Sequence, residues 1–352
     1  MSQFPLQTLP FDQYGRYQLI REAVDAARSA LGSPLRVLDV GGFFVTRRNQ
    51  AMLPARAFLP NDEVTVLDRP AADLEGYVQG DGRGLHFGDD SFDVVISCDT
   101  LEHVPAPDRP AFWRELLRVA RYGVLLAAPF ASPETVAAEA LLLDYIKAAL
   151  GVDQPQLREH AEFGLPERAL TVATLGELGL RYRVYPTGYV HAWLTMMLAK
   201  HTPVFADYDL HERLDSYYTS FFGPDERREP AYRLCWVVEK NGQGGWLDAV
   251  DHALAPTIRN GPPAAGPGWP DLATWLLQVD SVQRHQTQAQ AIATQAQTIY
   301  GLQAALAQRE AHIRDLEQRT QWLDEQARES RRALAAVENG LVLRLLRRLR
   351  RK

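Results

Sequence analysis

The residues equipped for chemistry fall in four short runs. Asp39-Val40-Gly41-Gly42-Phe43 closes an apolar stretch beginning at Arg36. An acid and two glycines at the end of a buried strand are what a doubly wound fold uses to seat a nucleotide-like ligand. Asp68 closes a second run, Glu63–Asp68, where an acid can accept from ribose hydroxyls. Asp81, Gly82 and Arg83 form the third. Cys98 and Asp99 end the fourth, which starts at Phe92, and Glu102-His103 stand just beyond it. A histidine there could take a proton from a substrate hydroxyl, or merely orient its loop.

These residues need a scaffold, and the hydrophobic pattern supplies one. Leu19, Ile20, Ala23, Val24 and Ala27 predict an amphipathic helix that ends near Gly32. Its Tyr14 and Tyr17 either cap a ligand pocket or pack on the sheet. A strand over 36–40, a helical segment over 48–59 and a strand over 63–68 follow. Phe92-Asp93-Val94-Val95-Ile96-Ser97 reads as a strand covered on both faces, then come a helix over 111–119 and a strand over 123–129. This alternation predicts an α/β fold with a doubly wound, largely parallel sheet. Beyond Pro129 the pattern predicts a helix over 134–150, a polar connection over 153–164 that contains His160, and a helix over 167–178. A strand over 180–185, helices over 189–201 and 208–222 and a strand over 231–239 complete the series. An insertion after the strand over 123–129 is placed to shape a substrate pocket. Tyr189, His191 and Trp193 are either acceptor contacts or core aromatics.

Three consecutive segments carry a family resemblance: Gly80-Asp81-Gly82-Arg83-Gly84-Leu85-His86-Phe87, then Asp89-Asp90-Ser91-Phe92-Asp93-Val94-Val95-Ile96-Ser97, then Asp99-Thr100-Leu101-Glu102-His103-Val104. The run resembles the class I S-adenosylmethionine-dependent methyltransferases, in particular the group that includes quinone-biosynthesis enzymes. His86 stands where that group usually has proline. The resemblance implies a seven-stranded Rossmann-like methyltransferase sheet, parallel with an antiparallel edge, and S-adenosylmethionine as cofactor. The implied cofactor contacts are Asp39, Gly41, Gly42, Asp68, Asp81, Gly82, Arg83, Cys98 and Asp99. Asp81 would accept from the adenine amine while the Gly82 and Arg83 amides donate to ring nitrogens, and Cys98 and Asp99 would emerge beside the methyl donor. His103 is the implied catalytic residue. Against the family pattern acid-x-Gly-x-Gly-x-Gly, Asp39 and Gly41 are in register, but Phe43 and Val45 occupy the later glycine positions. The Phe43 side chain must therefore point away from the ligand or narrow its approach.

Composition bounds the rest. The 352 residues are 46% hydrophobic and 23% charged, enough for one large domain plus an extension. A net charge of −6 carries no global signature of nucleic-acid binding. Two cysteines, Cys98 and Cys235, support neither a disulfide framework nor a thiolate metal site, and no metal is expected. Met1–Pro10 has no signal-peptide pattern and no apolar run reaches spanning length, so a cytoplasmic protein is expected. The methyltransferase domain is expected over 1–240, followed by a Gly/Pro-rich linker over 241–271 that holds at most one short helix. Over 272–340 an a series (Ile299, Leu306, Ile313, Thr320, Ala327, Leu334) and a d series (Leu302, Arg309, Leu316, Leu323, Ser330, Val337) predict a coiled coil and a homo-oligomer. The tail, 341–352, interleaves leucine with arginine, which favours peripheral contact with an anionic membrane over nucleic acid.

That architecture resembles methyltransferases encoded with bacterial cell-surface polysaccharide assembly enzymes. It implies O-methylation of a sugar on a lipid-linked glycan at the inner face of the cytoplasmic membrane. Two other readings stand beside it: a methyltransferase of a quinone precursor or other small molecule, and a membrane-tethered scaffold whose methyltransferase-like domain is inactive.

Overall fold

The computed structural model describes residues 6, 9–32, 34–46, 48–201, 208–242, 244–261, 268–338 and 340–350. Residues Met1–Pro5, the Gly/Pro-rich stretch 262–267, and Arg351 and Lys352, all used in the sequence reading, lie outside them. The chain divides into two units, Met1–Thr274 and Trp275–Lys352.

In the first unit, α1 (Phe11–Leu31) precedes β1 (Arg36–Val40), a short hairpin of β2 (Phe44–Val45) and β3 (Ala51–Met52), and α2 (Pro54–Phe58). Then come β4 (Glu63–Asp68), β5 (Tyr77–Gln79), β6 (Phe92–Cys98), α3 (Arg109–Val119) and β7 (Ala120–Pro129). The later part holds α4 (Pro133–Leu150), α5 (Pro155–Phe163), α6 (Arg168–Glu177), β8 (Arg181–Tyr189), α7 (Val190–Lys200), α8 (Tyr208–Phe221), β9 (Ala231–Glu239) and α9 (Trp246–Leu254).

The main sheet has seven strands in the order β5-β4-β1-β6-β7-β9-β8. β5, β4, β1, β6 and β7 pair in parallel, whereas β9 pairs antiparallel with both β7 and β8. This is the predicted sheet with its antiparallel edge. From β1 the chain first builds toward β5 and then, at β6, toward the other side. The carboxyl ends of β1 and β6 therefore flank the crevice where such sheets bind ligands.

Strand alternation divides the core in two. Val37, Val64, Val66, Val94 and Ile96 face α1, α2 and α9, while Leu38, Val40, Val95, Val124 and Leu126 face α3 and Leu175 of α6. β6 is buried at every position, which explains the unalternating apolar run Val94-Val95-Ile96 at its centre. Each fully buried aliphatic side chain contributes about 1.5–3 kcal/mol of transfer free energy.

Three elements differ from the sequence reading. The segment 48–59 is not one helix: β3 and its turn take up the first half, and Pro54, suited to a first helical turn, starts only the five-residue α2. The connection 153–164 is helical over α5, with Leu157 and His160 as its buried side chains. The expected linker begins with folded structure, because Trp246, Leu247, Val250 and Leu254 of α9 are fully buried in the same core as α1.

The second unit consists of most of α10 (Gly268–Glu338), from Trp275 on, and of α11 (Leu341–Leu349). Ile299, Leu302, Leu306, Ile313, Leu316, Leu323, Leu334 and Val337 of α10 are all exposed. No helix among the described residues is long and apolar enough to cross a membrane.

Candidate functional site

A cavity of ≈ 370 Å³ opens at the carboxyl end of the parallel strands. Its wall collects one loop after another: Val40 and Gly41 after β1, Leu67, Asp68 and Arg69 after β4, Gly80 to Arg83 after β5, and Thr100 and His103 after β6. Val104 and Pro105, Phe112 of α3, and Glu159 and Phe163 of α5 complete it. The volume falls in the range of small-molecule sites, and the mixture of apolar side chains with a few convergent polar groups is typical of them.

Gly41 shapes the floor. Its φ is +85°, and a Cβ there would lie 2.0 Å from Thr100 Oγ1. Glycine is required on both counts. Its amide donates to Leu67 O at 2.7 Å, while Ser97 Oγ donates to Val40 O at 2.9 Å, so the turn is fastened to the strands on either side of it. Gly82 is needed for a second close approach, since a Cβ would meet Phe112 at 2.6 Å and Val40 at 2.8 Å. The Phe43 ring turns away from the cleft and packs on Tyr77, centroids 5.4 Å apart, while its amide donates to Asp68 Oδ2 at 3.1 Å. The departures at the later glycine positions therefore leave the cleft open.

Of the residues expected to contact a cofactor, the structure brings Gly41, Asp68, Asp81, Gly82 and Arg83 to the cavity wall, together with His103. Asp81 is paired with Arg83 at 2.8 Å, and hydrogen bonds from that side chain hold its carboxyl down at about 2 against the effect of burial. The Arg83 amide differs from expectation: it already donates to Asp81 Oδ1 at 2.9 Å rather than facing a ligand.

The other four expected contacts do not line this cavity. Asp39 is buried behind the floor and accepts from Tyr17 Oη at 2.8 Å, so Tyr17 supports the loop from beneath. Gly42 stands over that same carboxylate, where a Cβ would lie 1.9 Å from Asp39 Oδ2. Cys98 is buried in the apolar core on the α1 side, and burial pushes its thiol far above the ordinary range. Asp99, held at φ +47°, is an ion-pair anchor. Arg233 of β9 binds both its oxygens at 2.7 Å, and Arg16 of α1 also pairs with it. Burial alone would raise the Asp99 carboxyl, but the two guanidinium groups hold it at about 2.

Burial pushes Asp39 up to about 7, against the pull of the Tyr17 hydrogen bond. A carboxyl whose folded pKa exceeds its unfolded value of about 4 favours the fold most below that value, and this contribution is lost as pH rises toward 7. Asp39→Asn, which keeps an acceptor for Tyr17, is therefore expected to raise the urea midpoint at pH 8 and leave it nearly unchanged at pH 4. Denaturation curves at the two pH values check this.

His103 lies in a 3₁₀ turn, Leu101–His103, clamped from below. Buried Arg109 donates to Val104 O at 3.0 Å and also reaches Gly164 O, which ties this turn to the end of α5. His103 Nδ1 meets Glu159 Oε2 at 2.8 Å. Burial, together with the neighbouring His160, holds the His103 imidazolium below the ordinary histidine range. His160 was legible only as part of a polar connection, Thr100 only as part of the segment that carries the family resemblance, and Glu139 and Glu159 gave no signal at all. A second cavity, ≈ 340 Å³, lies among Phe11, Tyr14, Tyr218, Glu226 and Arg227 and holds none of the expected site residues.

Comparison with known proteins fits this geometry. Residues 55–128, which run from α2 to the end of β7 and include Asp68, Asp81 and His103, match the family model of the methyltransferase domain. This stretch of the chain is similar to a methyltransferase domain. Two uncharacterized methyltransferases, from Mycobacterium sp. strains KMS and MCS, are each 34% identical to it over 134 residues, covering 33% of this chain and 50% of the relative. The chain thus spans about half the length of these curated relatives. Among solved structures, magnesium protoporphyrin IX methyltransferase from Synechocystis PCC 6803, with bound S-adenosylhomocysteine, is 15% identical over 50% of this chain and 78% of its own, TM-score 0.35. The YcgJ protein of Bacillus subtilis is 17% identical over 62% and 95%, TM-score 0.33.

The cofactor of the methyltransferase domain can be tested against the wall. S-adenosylmethionine needs a passage free of side chains beside the first strand, an acid for its ribose and room for a flat ring. Gly41 and Gly82 allow the wall residues Thr100, Phe112 and Val40 to pack against the bare backbone, so no side chain at either position enters the cleft, Asp68 is at the wall, and Leu67, Val104 and Phe112 are apolar. The residues fit.

Proposed function

We propose that this chain is an S-adenosylmethionine-dependent methyltransferase that O-methylates a sugar of a lipid-linked cell-surface polysaccharide at the cytoplasmic face of the membrane. The observation that carries the enzymatic part is the open cleft at the β1/β6 crevice, lined by Gly41 and Gly82 and bordered by Asp68. The same openness speaks against an inactive scaffold.

When bound, S-adenosylmethionine supplies an electrophilic methyl group on a sulfonium. Asp68 would hold the ribose hydroxyls: each of its oxygens already accepts one backbone amide, from Phe43 and Arg69, and keeps a second acceptor site. Leu67 and Phe112 would enclose the adenine, with Asp81 toward its amine. His103 is assigned to the acceptor side, where Glu159 and Phe163 of α5 border the cleft. Methyl transfer needs in-line approach of the acceptor oxygen, so most of the rate enhancement would come from positioning.

The acceptor class and location rest on the second unit. The exposed a and d side chains of α10 form a seam that a second copy of the chain would cover. α11 interleaves leucine with Arg344, Arg347 and Arg348, the pattern of a helix lying in a bilayer interface. Anionic lipid attracts such residues by about 1 kcal/mol each.

One assay tests the whole reading. The chain, with and without residues 341–352, is incubated with methyl-labelled S-adenosylmethionine and anionic vesicles carrying the lipid-linked glycan. Label is expected in the glycan, and only the full chain is expected to sediment with the vesicles. Label absent from the glycan in the presence of full chain would reject the acceptor, and equal sedimentation would reject the membrane role of the tail.

A further inference from the structure

Beside the cleft stands an arrangement that methyl transfer does not require. His103 and His160 face each other through their Nε2 atoms, 3.4 Å apart, with ring centroids 4.8 Å apart. Behind each ring is a carboxylate: Glu159 Oε2 lies 2.8 Å from His103 Nδ1, and Glu139 Oε1 lies 2.8 Å from His160 Nδ1. Tyr232 Oη donates to that same Glu139 oxygen at 2.6 Å. An ionised carboxylate can only accept, so each Nδ1 carries the hydrogen. Both Nε2 atoms then present lone pairs to one another, and they repel unless a positive centre lies between them.

We propose that this centre is a divalent cation of the zinc type, held by His103, His160 and Glu102. Three observations agree. A histidine with Nδ1–H on a carboxylate is in the posture of a metal ligand, tautomer and ring orientation both fixed. Two nitrogens bound at about 2.1 Å to one tetrahedral ion lie about 3.4 Å apart, the separation found here, whereas a shared N–H···N bond would draw them closer. The third ligand is at hand, since a carboxylate oxygen of Glu102 and a nitrogen of each ring all lie within 4.8 Å of one another. Glu102 is buried, and its Oε2 has no hydrogen-bond partner among the described residues. An isolated carboxylate oxygen in that position costs free energy that a cation would recover.

Three protein ligands leave a fourth position open, as in catalytic rather than structural zinc sites. His103 and Glu159 line the cleft, so the open position would bind and orient an oxygen of the methyl acceptor. That role rests on the methyltransferase reading, whereas the cation site does not.

The test uses the full chain without a histidine tag, stripped with chelator and titrated with Co²⁺ as the probe, read by ligand-field absorption and by metal content after dialysis. One equivalent per chain with a tetrahedral spectrum is expected. His160→Ala should weaken binding at least 100-fold. Glu139→Gln, which removes only the charge behind His160, should weaken it about 10–100-fold. Thermal melts without metal confirm that the stripped chain and its variants are folded. Absence of stoichiometric Co²⁺ binding to the folded native chain would overturn the proposal, and so would His160→Ala binding as tightly as the native chain. Titration of the stripped chain with S-adenosylhomocysteine separates failure of the cation site from failure of the cofactor reading.

Discussion

Arg233→Met is expected to destabilise the fold by about 3–5 kcal/mol, the cost of removing one partner from a buried ion pair. The effect should be this large because the Arg233 side chain is 4% exposed and binds both oxygens of Asp99, itself held in a left-handed conformation. Asp12 also reaches Arg233, at 3.4 Å, and Arg16 remains as the second partner of Asp99. The variant therefore leaves a carboxylate cluster one cation short. Urea denaturation at neutral pH measures the loss. The double variant Asp99→Asn/Arg233→Met should lose clearly less than the sum of the two single variants, because the uncompensated carboxylate is then gone. A loss below about 1 kcal/mol in the single variant would mean that the cluster does not lock β6 to β9.

Gly41→Ala should affect the cleft more than any other single change. The left-handed φ costs an alanine about 1–2 kcal/mol. Its Cβ would also displace the Thr100 hydroxyl, which donates to Val40 O or Cys98 O, each at 3.2 Å. The floor must move into the space reserved for ligand, and affinity for S-adenosylhomocysteine is expected to fall at least 100-fold. Asp68→Asn is the gentler companion. It keeps the shape and removes the charge, and a lost charge-assisted hydrogen bond of about 1.5–3 kcal/mol corresponds to roughly a 10–150-fold weaker complex. Calorimetric titration of both variants, each shown to be folded, measures these changes.

What the sequence revealed follows from which interactions are local. β1, β4 and β6 are read correctly because each is a short run rich in valine, leucine and isoleucine, and the acids and glycines after β1, β4 and β5 stand where the chain leaves the sheet. Phe43 looked like an obstruction because a residue's spacing does not say which way its ring turns. Cys98 and Asp99 looked like ligand contacts because they end a strand at the crevice. Their roles are decided by residues far away in the chain, the core around Cys98 and Arg233 on β9. Glu139 and Glu159 depend in the same way on where α4 and α5 pack. α5 itself was hidden because its two buried side chains, Leu157 and His160, make too thin an apolar stripe to show a period. α9 was allowed for only as one short helix within the linker: Trp246, Leu247, Val250 and Leu254 repeat at helical spacing, but the glycines on either side hid that this helix belongs to the core.

The central claim is that the cleft beside Gly41 is a working cofactor site. Calorimetric titration of the folded native chain with S-adenosylmethionine and with S-adenosylhomocysteine tests it most directly. The account predicts saturable binding of both at one site per chain, weakened by Asp68→Asn. No binding of either compound to a chain that melts cooperatively would contradict it.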